Sequence, residues 1–260
     1  MIYLIKSFQA RAQGWIAHHF DLTPYGWNLK KLKNRHEGQR CFLIGNGPSL
    51  RADDLTKLHD NQEICFAFNR IYNIFDQTPW RPTYYISQDE KMLQGCMDIV
   101  DRSELGMKLI PINLCWYHGV HLKNVNWFYI KSPKEENGKP LEFSDNPTGV
   151  IFNSSTGMYT AAQFAAYMGF SEIYLIGVDH HFRISQNNSG EIVVDNSVKD
   201  YFSEKYNEDK DKLYIPNTER STLTYVAMKE QCENRGITVY NSTRGGKLDV
   251  FQRVDFDSIF

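Results

Sequence analysis

The fold class this 260-residue sequence predicts is α/β, a doubly wound and mostly parallel sheet, and three observations predict it. Short apolar runs such as Cys41-Phe42-Leu43-Ile44, Ile64-Cys65-Phe66-Ala67-Phe68 and Ile173-Tyr174-Leu175-Ile176 are continuous rather than alternating, as strands buried on both faces must be. Segments of helical composition separate them, and strand–helix–strand alternation is the pattern of parallel sheets. Gly, Asn, Ser or Asp follows the strongest runs directly, so polar residues gather at the strand ends.

Residues 1–38 differ from the rest. Ile5, Phe8, Ala12, Trp15 and Ile16 recur at helical spacing among Lys6, Arg11, Lys30, Lys31, Lys33 and Arg35. Such a basic amphipathic helix suits the surface of an anionic membrane, although packing on the main domain or on a second subunit satisfies the same pattern. The main domain, 39–260, opens with the strand at 41–44. A short helical segment at 53–58 follows, then strands at 64–68 and 82–87 and weaker strand candidates at 109–112 and 127–130. The polar stretch 132–152 reads as loop. Residues 155–168 form the clearest helix, capped by Ser155 or Thr156, filled with Ala161, Ala162, Ala165 and Ala166, and ended by Gly169. A strand at 173–179 precedes a polar insertion at 183–215, read as a lid. A helix at 222–235, stopped by Gly236, and a strand at 237–240 complete the pattern.

Composition narrows the function. A net charge of −2 gives no reason to expect nucleic acid as a partner, because phosphate-backbone binding needs a basic surface. Five scattered cysteines without CxxC spacing argue against a disulfide framework and a zinc site and suit a reducing compartment. The start lacks the features of a signal peptide, and no run approaches the ~20 apolar residues of a membrane span. A cytoplasmic location, peripheral at the inner membrane face if the first helix docks there, is the expectation.

Ligands of doubly wound sheets bind beyond the carboxyl ends of the strands, so the polar clusters there are the candidate site. Gly45-Asn46-Gly47-Pro48-Ser49 offers backbone freedom and amides able to face an anion, though a tight turn without a ligand explains it equally. It is neither a GxGxxG nor a GxxxxGK[ST] motif. Asn69 can read a base or ribose, and Arg70 suits a phosphate or carboxylate, unless it simply pairs with a surface acid. Gln88 and Asp89 end another strand; Asp89 could hold a ribose or acceptor hydroxyl, or merely cap a helix. Ser155, Thr156 and Gly157 open a helix, where phosphate is attracted and where hydroxyls also serve as caps. Asp179, His180 and His181 follow the 173–179 strand. Adjacent histidines diverge and rarely share a metal, so no metal site is expected, but either is a fair general base, as is Asp89. His118 and His121 are reserve candidates, and an ordinary structural histidine remains the plainer reading of each.

Ile44-Gly45-Asn46-Gly47-Pro48-Ser49-Leu50, together with Ser155-Thr156-Gly157-Met158-Tyr159 through Gly177-Val178-Asp179, resembles the bacterial family-42 sialyltransferases. It also resembles the related superfamily of motility-accessory-factor glycosyltransferases and 6-hydroxymethylpterin diphosphokinases. The resemblance covers roughly residues 40–182. It implies a Rossmann-like domain that takes a nucleotide-activated sugar, with CMP held by Asn46, Gly47, Ser49, Asn69, Ser155, Thr156 and Gly157 and the sugar near Gln88 or Asp89. His180 and His181 occupy the neighbourhood where the sialyltransferases carry two tyrosines. Their catalytic histidine has no counterpart in Tyr214-Ile215-Pro216-Asn217-Thr218-Glu219-Arg220. The expected activity is glycosyl transfer from a CMP-linked nonulosonate to a glycan or lipid-linked acceptor, as in lipopolysaccharide or capsule assembly, by a metal-independent inverting displacement with no tightly bound cofactor. The alternatives are a diphosphokinase using ATP and magnesium, and a non-catalytic assembly protein that keeps the fold.

Overall fold

The computed structural model describes residues 2–187, 189–207 and 214–260, with side chains from residue 10 onward apart from Asn207. The expected apolar positions Ile5 and Phe8, and residues 188 and 208–213 of the insertion, lie outside what is described. Among the described residues one sheet dominates, built from eight parallel strands: β1 Arg40–Ile44, β2 Cys65–Phe68, β3 Tyr84–Ile86, β4 Met107–Pro111, β5 Val125–Phe128, β6 Glu172–Ile176, β7 Thr238–Asn241 and β8 Gln252–Arg253. Their spatial order is β8-β7-β6-β1-β2-β3-β4-β5. The chain winds outward from β1 to β5, returns to lay β6 against β1, and winds the other way. The direction of winding therefore reverses between β1 and β6, which pair from Arg40↔Glu172 to Ile44↔Ile176. In an open α/β sheet such a reversal leaves a crevice beyond the strand ends.

The continuous apolar runs do what burial on both faces requires. Side chains alternate along a strand, so Cys41 and Leu43 enter the core on one side of the sheet and Phe42 and Ile44 the core on the other. The first core takes Phe20, Leu29 and Leu32 from the amino-terminal segment together with α7 Gly157–Met168 and α8 Thr218–Glu233. The second takes α3 Ala52–Asp60 and Phe256. Fully burying each aliphatic or phenyl side chain contributes roughly 1.5–3 kcal/mol, so these two layers supply most of the drive to fold.

Three expectations are refined. The weaker strands at 109–112 and 127–130 exist two residues earlier, at 107–111 and 125–128. The stretch 132–152 contains a short hairpin, Glu135–Glu136 with Lys139–Pro140. Helix α8 begins at Thr218, four residues before the expected start, because the Asn217 side chain accepts a hydrogen bond from Arg220 N. The last strand, β8, escaped sequence reading because it is two residues long.

The amino-terminal segment forms α1 Ile2–His18 and α2 Pro24–Lys30. Its expected apolar face is split: Ile16 packs against the core, while Trp15 points to solvent. Among the described residues no helix is long and apolar enough to cross a membrane.

Candidate functional site

A cleft of about 300 Å³ opens at the β1/β6 reversal. Its floor is made by Gly45, Asn46 and Gly47 after β1 and by Gly177, Val178, Asp179 and His180 after β6. Asn69, Gln88 and Asp89 join from the ends of β2 and β3, and Ser155, Thr156 and Gly157 from the start of α7. Of the fourteen candidates expected from sequence, twelve line this one cleft; Ser49 and Arg70 do not.

The glycines serve a different purpose from the expected anion nest. Gly45 N donates to Ile176 O at 2.8 Å and Gly47 N to Gly177 O at 2.9 Å. A β-carbon on Gly45 would lie 2.3 Å from Gly177 O, and one on Gly47 2.0 Å from Asp179 Oδ2. The loops after β1 and β6 thus touch backbone to backbone, and glycine is required for that approach. Ser49 is turned the same way: its N and Oγ donate to Asp179 Oδ2 at 3.3 and 2.7 Å. The expected role of Gly45, Gly47 and Ser49 as free donors to a phosphate is corrected accordingly, because Asp179 is the anion their loop accommodates. Burial outweighs these bonds and raises the Asp179 carboxyl above its ordinary value.

Asn46 Nδ2 donates to Phe68 O at 3.1 Å, while its Oδ1 is buried with no partner among the described residues. Asn69 has a left-handed backbone (φ 55°), which turns the chain sharply out of β2. Its Oδ1 accepts from Ser87 Oγ at 3.1 Å and its carbonyl from the Tyr85 hydroxyl at 2.9 Å. Arg70, only 4 % exposed, lies beneath the cleft. Its Nη1 donates to Tyr206 O at 2.8 Å and so supports the insertion. Gln88 Oε1 accepts from Thr160 Oγ1 at 2.7 Å. Asp89 caps α4 Glu90–Gln94 through Met92 N at 3.0 Å, and burial raises its carboxyl pKa. Thr156 caps α7 through Met158 N, and its Oγ1 lies 3.4 Å from the buried Tyr225 hydroxyl.

The two histidines diverge. His180, in a left-handed conformation (φ 53°), places Nε2 2.8 Å from Thr222 Oγ1. The single proton of that hydroxyl is donated to Thr218 O at 2.9 Å, so the hydroxyl accepts from His180 Nε2–H. This fixes the tautomer and leaves Nδ1 with the lone pair. Burial lowers the His180 pKa, which keeps the ring neutral. His181 Nε2 instead lies 2.9 Å from Asp195 Oδ2 and 3.2 Å from Lys247 Nζ, a cluster that ties the insertion to the loop before β8. His118 and His121 do not line the cleft; both lie at the end of α6 Ile112–His118, where His121 Nδ1 is 3.8 Å from Cys115 Sγ.

Sequence reading missed the far wall. Asp200, Tyr201, Tyr206, Tyr214, Pro216, Ser221 and Tyr225 also line the cleft. Phe202 N donates to Asn46 O at 3.1 Å and joins the insertion to the floor. Tyr201 and Tyr206 stack at 3.8 Å, and burial pushes the Tyr201 hydroxyl up to about 12. Three aromatics at 201, 202 and 206 within an otherwise polar segment were the signal available. Among the described lining residues there are three aspartates, Asp89, Asp179 and Asp200, and no Lys or Arg. Lys91, over the Tyr214 ring at 4.2 Å, and Lys247 stand beside it.

No curated protein matches this chain in sequence. Among solved structures, a MAf glycosyltransferase from Magnetospirillum magneticum AMB-1 is similar over 90 % of this chain, with 14 % identity and a TM-score of 0.49. The match takes in 38 % of that protein, so this chain spans well under half its length. A family model described as 6-hydroxymethylpterin diphosphokinase MptE-like matches residues 19–185, well over half the sequence, and the chain belongs to that MptE-like family.

Proposed function

We propose that this chain is a glycosyltransferase that moves a sugar from a nucleotide-activated donor, a CMP-linked nonulosonate of the sialic-acid type, onto a hydroxyl of a surface-glycan or lipid-linked acceptor. The observation that carries this reading is His180: a neutral imidazole whose Nε2–H is committed to Thr222, leaving Nδ1 as a base on a residue that lines the cleft. The acceptor hydroxyl attacks the anomeric carbon, its proton passes to Nδ1, and the bond from that carbon to the donor phosphate oxygen breaks. The departing phosphate is met at the start of α7 by Ser155, Thr156 and the positive end of the helix, where Met158 N is already taken by the Thr156 cap. One helix end, in a cleft whose described lining has no Lys or Arg, suits a single phosphate better than a triphosphate. The transfer is an inverting displacement that needs no metal.

A second reading has its own observation. Asp89, Asp179 and Asp200 line the same cleft, and carboxylates are what a magnesium-bound triphosphate needs. Among the described residues the three do not gather into a metal-holding group, so this reading, a diphosphokinase using ATP on a pterin-like alcohol, rests on the carboxylates sharing the cleft and on the family's description as 6-hydroxymethylpterin diphosphokinase MptE-like.

Melting temperature measured with CMP, CDP, UDP, GDP and ATP, each with magnesium and with chelator, separates the two, since stabilisation follows affinity. The transferase reading expects CMP to stabilise the protein equally in chelator. Stabilisation by ATP only with magnesium overturns it in favour of the kinase, and no response to any nucleotide overturns both in favour of an assembly protein. With the donor in hand, His180→Asn lowers turnover by about 10²–10⁴ while CMP still raises the melting point by the same increment as in wild type.

A further inference from the structure

The amino-terminal segment presents large apolar side chains that the fold leaves uncovered. Trp15 is 58 % exposed, Leu22 56 %, Trp27 55 % and Tyr25 37 %, all within thirteen residues of sequence. They are not on a loose tail. Thr23 caps α2 by accepting from Gly26 N at 3.2 Å, and Pro24 begins the helix. Gly26 is pressed so closely on the preceding turn that a β-carbon there would lie 2.3 Å from Phe20 O. Phe20, Leu29 and Leu32 are anchored in the core. With Gly26 and Leu29 held inward, helical geometry turns Trp27 and Lys31 to one outer face with Lys30 alongside. On α1, Arg11 and Trp15 share an exposed face at i,i+4 spacing, while Ile16 packs inward.

Charge singles out the partner. The first 38 residues hold six Lys and Arg against two acids, whereas the rest of the chain holds 23 against 29. Among the described residues none of Arg11, Lys30, Lys31, Lys33 and Arg35 forms an ion pair with an acid. A second copy of the same face would bring these cations against one another, which costs energy. Trp and Tyr beside Lys and Arg match the level of lipid headgroups, where the rings meet the acyl boundary and the cations meet phosphate.

We infer that the amino-terminal segment, through its exposed Trp15, Leu22 and Trp27 with Arg11, Lys30 and Lys31, seats the protein on an anionic lipid bilayer. It lies parallel to the surface and does not cross it. The inference is independent of which reaction the cleft performs.

Co-sedimentation of the full chain with vesicles of phosphatidylcholine, with and without phosphatidylglycerol, tests it. Binding to the anionic vesicles that falls at high salt is expected. Lys30→Glu/Lys31→Glu and, separately, Leu22→Ser/Trp27→Ser should each lower that binding at least about tenfold. All four side chains are exposed, so both variants should melt with the wild type, and either suffices. Wild-type protein that stays in solution with anionic vesicles overturns the inference, as does binding that neither variant weakens. A concentration-dependent dimer in sedimentation velocity that Leu22→Ser/Trp27→Ser abolishes would also overturn it and assign the face to a second copy.

Discussion

The two walls of the cleft are built on different principles. The floor is backbone against backbone: the loops after β1 and β6 lie so close that no side chain fits at Gly45 or Gly47. The opposite wall, residues 195–206, joins buried aromatics, Tyr206 and the packed Phe202, to separate polar contacts: Phe202 N to Asn46 O, Arg70 to Tyr206 O, His181 to Asp195, and Arg183 N to Asp200 Oδ1. A close-packed backbone crossing has no intermediate positions, whereas the hydrogen bonds of the other wall can be released one at a time. The floor is therefore the wall fixed by backbone contact, and the insertion the wall fixed by side-chain packing and single hydrogen bonds.

Breaking the floor should cost most. Gly45→Ala forces a β-carbon into Gly177 O and should lower unfolding free energy by about 3 kcal/mol or more, read from the urea midpoint. If the variant melts with the wild type, the crossing is not the rigid element described. Arg70→Ala strikes the other wall. It should cost roughly 2 kcal/mol, and limited proteolysis within residues 195–207 should accelerate well before global unfolding. Cleavage at an unchanged rate would show that Arg70 does not hold the insertion.

How much of this was legible in the sequence follows the same division. The strands around the site were readable because both-face burial leaves continuous apolar runs, and the α7 start was readable from Thr156 before an alanine-rich stretch. The function of Gly45 and Gly47 was not. A Gly-x-Gly turn looks the same whether it cradles an anion or lets two loops cross, and the deciding residue, Asp179, lies 130 positions from Ser49. Arg70 follows a strand as a binding residue would, yet it is buried and donates to a carbonyl at Tyr206 that no local pattern announces. Tyr225 and Ser221 reach the cleft only because α8 packs on α7, a tertiary event.

Two smaller effects sharpen the comparison at the place where the walls meet. Thr222→Val removes the acceptor that fixes the His180 tautomer, and turnover should fall about tenfold while Thr222→Ser retains it. The ¹⁵N shifts of the His180 ring check this without substrate: Nε2 protonated in wild type, mixed tautomers in Thr222→Val. The smallest effect is on pH dependence. Burial holds the folded-state pKa of His180 below the ordinary 6.5, so its neutral form is favoured by folding. Stability is fully present above 6.5 and declines as pH falls from there toward the folded-state value, because the unfolded chain takes up the proton first. Between about pH 7.5 and about pH 5.5 the melting temperature of wild type should drop further than that of His180→Asn. An equal drop would place the buried charge penalty elsewhere.

The aspartates along the cleft have a kinetic corollary. If the ligand is the proposed nucleotide, it is itself an anion, and at low ionic strength the lining aspartates oppose its approach, offset in part by Lys91 and Lys247 beside the cleft. Added salt shortens the range of that repulsion, and capture should quicken as ionic strength rises, opposite to the behaviour of a pocket ringed by arginines.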